Sequence, residues 1–428
     1  MKRTILLIST AILLVVTSCI KRETSPAYDY QHRDYFTATF DNYFTSDESG
    51  IMVFLSDLSG KVLASERIDG QTHLYINPTS GLFPVHIIET LVYKGPVVDG
   101  KSTVYLYSYL QIVPSDWIWT TFESSNQGTA NLNISNIPSH TEFNVSSKFQ
   151  WIHGNTLPSY LPVSLGVIPD NLYILLHTPS SGYRYKWLTD VQDNNLQVDL
   201  SSMDATLNRT IPVPATSNLS WQLSGYFPSA QHARGLYMLD YDDRIGSSAD
   251  SVTLHFPGTI FNDFQFYINT MDLADIHKQW YQYNFGTIPN RIDHLAGDIR
   301  VIDSTPAHFQ VQTSGTFDRL GSTWECNPIG PYRYQWTVYG PPTATTFTFP
   351  TLPADLAAEY IGLSSDSLKL NSVEIKDFSG ISSYDDLIKK MFVSGDYIAN
   401  IVPQYSGLIY HMNAGKKNAG MQKAGDRK

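Results

Sequence analysis

A run of acidic side chains forms the densest group of potential metal ligands in the sequence. Asp240, Asp242 and Asp243 precede Gly246, and Asp250 follows shortly after. Carboxylate oxygens at this spacing before a glycine are the hard ligands that Ca²⁺ takes, although an EF-hand loop needs glycine at its sixth position and glutamate at its twelfth. The run therefore has two interpretations, a calcium site or a solvated β-turn, and its departure from the loop pattern favours the turn. No other cofactor is predicted.

Tryptophans at alternate positions form a second group that could contact a ligand. Trp117 and Trp119 are two residues apart, and Trp187 and Trp336 each end a Tyr-x-Tyr-x-Trp stretch. Residues i and i+2 of a strand share one face. Such a face could stack on sugar rings, or it could pack a sandwich core while the other face meets water. The core interpretation is favoured for Trp187 and Trp336, whereas both interpretations stay open for Trp117 and Trp119.

Local signatures of a catalytic centre are absent from the sequence. It contains no His-Glu-x-x-His, no Gly-x-Ser-x-Gly, no phosphate-binding glycine loop and no zinc-ligand spacing of cysteine and histidine. Cys326 has no local histidine partner, so we expect a small buried side chain rather than a nucleophile. The sequence thus favours a protein that is not an enzyme. A dispersed active site assembled by the fold stays open as the alternative.

The beginning of the chain reads as an export signal. Lys2 and Arg3 precede a short apolar run over residues 5–16, and Cys19 follows small residues. The run is shorter than the roughly 20 apolar residues that span a bilayer. A charged start, a short apolar core and small residues before a cleavage site are typical of a secretory leader. Residues 1–18 are therefore predicted to be a signal peptide.

Residues 16–19, Val-Thr-Ser-Cys, resemble the lipobox of bacterial lipoproteins of the Bacteroidetes type. The resemblance implies cleavage before Cys19 and attachment of lipid to its thiol. Two acyl chains give stable membrane anchoring, whereas one gives only reversible binding. Because Ile20 rather than aspartate follows the cysteine, the resemblance implies the outer membrane, on either its periplasmic or its cell-surface side.

The composition narrows the possible partners. Removing the leader takes the formal net charge from −11 to −13, which argues against nucleic acid as a partner. The chain contains 27 tyrosines, 20 phenylalanines and 8 tryptophans, and such residues favour pleated, half-buried strands. The expected partners are the membrane, through the lipid, and a glycan or an envelope protein.

The spacing of short apolar strands predicts an all-β chain of tandem β-sandwich modules with a few short helices. Residues 19–34 read as a tether and residues 35–125 as an N-terminal sandwich, because short strands recur every 8–12 residues. Residues 53–87 resemble the small prealbumin-like and carboxypeptidase-regulatory-like sandwiches of envelope proteins. This resemblance implies a spacer or accessory domain and no site residues.

An internal repeat organises the remainder of the chain. Residues 179–187 reappear without gaps as residues 328–336, at an offset of 149, and both contain Tyr-Arg-Tyr-x-Trp. Repeats take priority over other signals of architecture. We therefore predict a β module A over residues 128–272, a related Ig-like module B over residues 273–412, and a disordered tail over residues 413–428.

Three short helices are predicted from their first residues. Asp272 could cap a helix over residues 273–281, and Pro353 could begin one over residues 353–360. Ser383, followed by Asp385 and Asp386, could cap a third. Together these features predict a non-catalytic outer-membrane lipoprotein with a binding or scaffold role, and glycan is one expected ligand. The alternative is a secreted-type hydrolase, a glycosidase or peptidase, with a dispersed active site.

Overall fold

The computed structural model describes residues 36–40, 51–68, 73–119, 126–216, 218–226, 236–244, 249–272, 274–328, 330–393 and 402–413. Strands dominate these residues and the helices are short, which confirms the predicted all-β, sandwich-like fold. The helices are α1 (Ala354–Glu359) and α2 (Tyr384–Ile388), with a 3₁₀ turn at Ser365–Ser367 and a π-helical turn at Lys389–Val393. The strands, in chain order, are β1 Phe36–Phe40, β2 Met52–Ser56, β3 Val62–Arg67, β4 His73–Ile76, β5 Ile87–Val98, β6 Lys101–Ile112, β7 Asp116–Trp119, β8 Gly128–Ser135, β9 Glu142–Ser146, β10 Trp151–Gly154, β11 Tyr160–Leu165, β12 Asp170–Thr178, β13 Gly182–Val191, β14 Asn195–Asp199, β15 Asp204–Ala205, β16 Leu207–Thr216, β17 Leu219–Tyr226, β18 Leu236–Arg244, β19 Ala249–Phe256, β20 Asp263–Met271, β21 Lys278–Gly286, β22 Gly297–Asp303, β23 Gln310–Gly315, β24 Arg319–Cys326, β25 Tyr332–Gly340, β26 Lys369–Phe378 and β27 Gln404–His411.

A twelve-stranded sheet is the largest element of the described chain. Its strand order is β18-β17-β20-β21-β27-β26-β24-β25-β6-β5-β2-β3. Neighbouring strands are antiparallel except β6 and β25, which run parallel. One face is covered by the β16-β19 and β22-β23 pairs and by α1, and its core includes Trp324 and Trp336. Period-2 alternation produces this arrangement because only every second side chain of a strand can face that core.

A small sheet packs on the opposite face at one end. The order β4-β1-β7 places Phe36 and Phe40 of β1 against buried residues of β2, β5 and β6. α2 and the π-helical turn extend the same core with Leu387 and Phe392. At this end, the large sheet and the small sheet therefore form the two layers of a sandwich.

A second sandwich follows in the chain. The sheet β11-β8-β14 packs against β10-β9-β12-β13-β15, and Leu132, Val163, Ile174 and Val198 lie in the core between them. The outer face of the five-stranded sheet carries Tyr173 and contributes to another core, shared with β16, β17, β19 and β20. Both faces of the central strand β12 are thus buried, and its residues Leu172 to Leu176 are apolar.

The sheet topology crosses the boundaries predicted for modules A and B. Strands from residues 35–125, 128–272 and 273–412 all join the twelve-stranded sheet. The repeated Tyr-x-Tyr-x-Trp stretches form the second strands of the hairpins β12-β13 and β24-β25, which belong to different sheets. The repeat in sequence therefore corresponds to a repeated hairpin strand with different lateral partners, and sheet membership does not follow the predicted segments.

Two of the three predicted helices are present. α1 begins directly after Pro353, and the Ser383 side chain accepts a hydrogen bond from the Asp386 backbone N–H at the start of α2. The helix predicted over residues 273–281 is wrong, because β21 begins at Lys278. Asp272 instead accepts a hydrogen bond from the N–H of Ala274, which is the other common use of an aspartate before a turn.

Candidate functional site

Two of the four candidate tryptophans lie in the core. Trp117 and Trp336 are both 0% exposed. The Trp117 ring stacks on Phe392 with centroids 4.2 Å apart, and Trp336 Nε1 donates to Ser108 Oγ at 2.8 Å. Their faces are occupied by the protein itself, so neither ring offers a surface to a sugar. Their burial contradicts the interpretation of Trp117 and Trp336 as ligand-binding residues.

The other two tryptophans are partly buried. Trp119 lies 4.7 Å from Phe392, centroid to centroid, at the rim of the same core as Trp117. Trp187 makes edge contacts with Tyr237 at 5.0 Å and Phe261 at 5.3 Å. The structure therefore brings Trp117 and Trp119 together, and it places Trp187 and Trp336 in separate cores.

The acidic run lies at the end of a strand, and Gly246 of the predicted turn or calcium loop lies outside the described residues. Asp240, Asp242 and Asp243 continue strand β18 as far as Arg244. Asp240 is 5% exposed, and its Oδ2 accepts from the backbone N–H of His255 at 2.7 Å and contacts His255 Nδ1 at 3.0 Å. Burial raises the pKa of Asp240 despite these contacts. Within the described ranges, no three acidic, histidine or cysteine side chains are grouped as a metal site.

The structure describes one of the two cysteines. Cys19 lies outside the described residues. Cys326 is a free, buried thiol whose Sγ lies 3.8 Å from the carbonyl oxygen of Gly362.

A face of the twelve-stranded sheet carries tyrosines that the sequence analysis did not single out. Direct cross-strand partners place them on one side, opposite the core of Trp324 and Trp336. Six are partly exposed, while Tyr281 and Tyr283 are buried among their neighbours. Four of the six also pack against the core beneath the small sheet: Tyr93, Tyr107, Tyr339 and Tyr405. Across eight adjacent strands this side spans roughly 30 Å. We call it the tyrosine face; its tyrosines are Tyr93, Tyr105, Tyr107, Tyr267, Tyr281, Tyr283, Tyr339 and Tyr405.

Ring stacking orders one half of the tyrosine face. The Tyr93 ring lies 5.1 Å from Tyr105 and 5.9 Å from Tyr107, and the Tyr107 ring lies 6.4 Å from Tyr339. The planes are within 26° of parallel in each pair, as in offset stacking. Burial raises the pKa of Tyr107, and it raises that of Tyr339 to about 12. These phenols are therefore protonated donors at neutral pH.

A charged cluster lies in the middle of the face. Arg319 Nη2 donates to Glu374 Oε2 at 2.7 Å, and the Tyr281 hydroxyl donates to the same carboxylate. The Arg319 guanidinium stacks 4.1 Å from the Tyr339 ring centre. Lys376 Nζ lies 4.4 Å from the ring centre of Tyr405. The cluster joins the two halves of the tyrosine face.

Burial and the neighbouring charges shift the pKa values of Glu374 and Lys376 in opposite directions. Burial opposes ionisation of Glu374, but the charges of Lys376 and Arg319 and the hydrogen bond from Tyr281 hold its pKa at about 2. Burial lowers the pKa of Lys376 to about 8, against the pull of Glu374. The carboxylate is thus a permanent acceptor at neutral pH.

The other half of the face carries a hydrogen-bond network of amides. His411 Nε2 contacts Gln279 Oε1 at 2.7 Å, and Gln279 Nε2 donates to Asn269 Oδ1 at 3.0 Å. The Tyr267 hydroxyl donates to the same Asn269 oxygen at 3.2 Å. These hydrogen bonds are made within the protein, and both Gln279 and His411 are buried.

The sequence does contain a signal for this face. Tyr105, Tyr107 and Tyr109 alternate along β6, and Tyr281 and Tyr283 alternate along β21. Alternation identifies a shared side of each strand, but it does not show that β6 and β21 lie in the same sheet.

Comparisons with known proteins identify no family. No family model matches the sequence, and no curated protein matches it. Among solved structures, the chain is similar to a Ca²⁺-stabilized adhesin that helps an Antarctic bacterium reach out and bind ice, with 10% identity over 82% of this chain and 96% of that chain. The TM-score is 0.12, so this similarity carries no inference about function. None of the helices in the described part of the chain has the length and apolarity needed to cross a bilayer.

Proposed function

We propose that this protein is a non-catalytic binding protein of the cell envelope and that the tyrosine face contacts a glycan. The observation that carries the proposal is the concentration of partly exposed tyrosines on one side of a single sheet. Tyrosine provides a large contact area at low cost in conformational entropy, and it combines an apolar ring with a polar tip.

The residues between the tyrosines favour a glycan over a protein ligand. Stable protein interfaces have an apolar centre. The partly exposed positions next to the tyrosines are instead polar, and they include Thr103, Gln265, Asn269 and Gln335. Such side chains match the alternating hydroxyl and C–H surface of a sugar ring.

The proposed location is the outer membrane, with Cys19 as the lipid attachment site. Support comes from the leader and from the short apolar segment that precedes the cysteine. Two acyl chains on Cys19 would hold the folded part at the membrane surface without a spanning helix.

The test is affinity electrophoresis of the full-length protein in nonionic detergent through gels containing soluble polysaccharides. We expect one polymer to retard the wild type and the double variant Tyr105→Ala/Tyr107→Ala to lose on the order of tenfold in affinity. Running each gel with and without Ca²⁺ tests the calcium interpretation of Asp240.

The matched control replaces exposed tyrosines elsewhere. Tyr75 on β4 and Tyr160 on β11 are 64% and 54% exposed. The variant Tyr75→Ala/Tyr160→Ala should migrate as the wild type does. Equal retardation of both double variants, with unfolding midpoints unchanged, would show that the tyrosine face does not contact the ligand.

Hydrolysis is the second candidate function, and one observation favours it. Asp240 orients the imidazole of His255, which is how a carboxylate prepares a general base. Release of reducing ends or amines from polymer substrates, abolished by His255→Ala and not by the tyrosine substitutions, would replace the binding proposal with this one.

A further inference from the structure

Arg333 lies at the margin of the tyrosine face with unused hydrogen-bonding capacity. It is on β25 directly opposite Thr103 of β6, and Gln335, two residues further along the same side, is opposite Tyr105. Its Nε is buried and has no hydrogen-bond partner. Arg333 also forms no ion pair with any residue in the described ranges.

The contrast with Arg319 on the same face is informative. Arg319 donates to Glu374 at 2.7 Å and is 7% exposed, so its charge is neutralised within the protein. Arg333 is partly exposed, and the nearest carboxylate along the neighbouring strand, that of Glu325, accepts instead from Asn371 Nδ2 at 2.7 Å. The charge of Arg333 therefore remains available to a ligand.

A buried donor without a partner has a cost of about 1–3 kcal/mol in general, so each such group in a folded protein needs an explanation. The planar guanidinium matches a carboxylate through two parallel N–H···O bonds. A carboxylate placed beside Tyr105 would pair with the exposed part of the Arg333 guanidinium and would meet the outward edges of the stacked rings.

We propose that the ligand of the tyrosine face is an acidic polysaccharide whose uronate carboxylate binds Arg333. This inference rests on the proposed glycan-binding function and adds the charge of the ligand and the residue that recognises it. Arg319 and Lys376 are paired with Glu374 within the protein, so Arg333 is the cation of this face that an acidic ligand would engage.

The experiment uses two forms of one polymer, de-esterified polygalacturonate and the same polymer fully methyl-esterified. At low salt the full-length wild type should bind the de-esterified form on the order of tenfold more tightly. The preference for the de-esterified form should shrink as the salt concentration rises, because salt screens the attraction between Arg333 and the carboxylate. Arg333→Gln should lose the preference and keep its affinity for the esterified form.

Arg184 provides the matched control, because it occupies the aligned position of the repeat on β13 in another sheet. Arg184→Gln should keep the full preference. Equal binding of both polymers by the wild type would overturn the inference while leaving glycan binding intact. Binding of neither polymer, or equal Arg333-dependent binding of poly-glutamate, would overturn it together with the glycan assignment.

Discussion

At the scale of single residues, Glu89 is an acidic side chain within the described core. It is 0% exposed, and both carboxylate oxygens lack a hydrogen-bond partner. Its cross-strand neighbours are Leu55 on β2 and Tyr109 on β6, and it lies beneath the small sheet that contains Trp117. Burial raises the pKa of Glu89 well above its ordinary value, because a charged carboxylate without a partner is unfavourable in the core.

Replacing this carboxyl with an apolar group of similar volume should stabilise the protein. We expect Glu89→Leu to raise the free energy of unfolding by about 1–3 kcal/mol at pH 7, measured by urea denaturation. The folded pKa is the higher one, so the unfolded state binds fewer protons once the pH exceeds 4.5, and the wild type loses stability as the pH rises. The advantage of the leucine variant should therefore grow between pH 4 and pH 8.

Glu89→Gln is the control, because it keeps a polar group and removes the titration. Its stability relative to the leucine variant should be nearly independent of pH. A leucine variant that is less stable than the wild type at every pH would contradict the assignment of Glu89 as an uncompensated buried acid.

The sequence predicts only in part which aromatic and acidic side chains lie in the core and which could contact a ligand. Trp336 and Trp187 occupy aligned positions, yet the first is fully buried and the second partly exposed, because different strands flank them. Asp240 was a reasonable metal candidate by type, but its partner His255 is on β19, and nothing in the local spacing identifies that contact.

At the scale of elements, α2 depends on a single cap. The Ser383 side chain accepts from the N–H of Asp386, and the helix that follows buries Tyr384 and Leu387 against the core of Trp117. Ser383→Ala should lower the free energy of unfolding by about 0.5–2 kcal/mol in urea denaturation, because the first-turn N–H loses its acceptor. Ser383→Asp supplies another acceptor and should restore stability; equal destabilisation by both changes would contradict the capping role.

Strands and helix starts were the predictable part of the fold. The alternation of Phe36, Ala38 and Phe40 appears as β1, and the cap at Ser383 appears as α2. The helix over residues 273–281 failed because the capping signal of Asp272 is shared with turns, while Gln279, Tyr281 and Tyr283 alternate at strand period.

At the scale of the whole molecule, the parallel pair β6-β25 joins distant parts of the chain. Trp336 reaches Ser108 across 228 positions of sequence. Trp336→Ala should cost about 3–5 kcal/mol, measured by denaturation. Hydrogen–deuterium exchange should show faster exchange in β6 as well as in β24 and β25, because these strands protect one another.

Trp187→Ala is the matched control for this coupling, because Trp187 is the aligned residue in another sheet. It should speed exchange in β12 and β13 and leave β6 unchanged. Faster exchange confined to β25 in the Trp336 variant would contradict a cooperative sheet.

The sheet order was not predictable from the repeat. Hairpin neighbours follow from turns, but β6 and β25 have no turn between them, and their pairing is set by complementary buried faces far apart in sequence. The tyrosine face was missed for the same reason, since its members come together only when that order is known.

The β6-β25 pairing has a consequence for the order of events during biosynthesis. Strand β6 emerges from the ribosome about 220 residues before β25 begins. At 5–20 residues per second the delay is roughly 10–45 seconds. Through that interval β6 has an open edge, which is a template for wrong pairing with another nascent chain. We therefore expect association between incomplete chains to begin at this edge of β6.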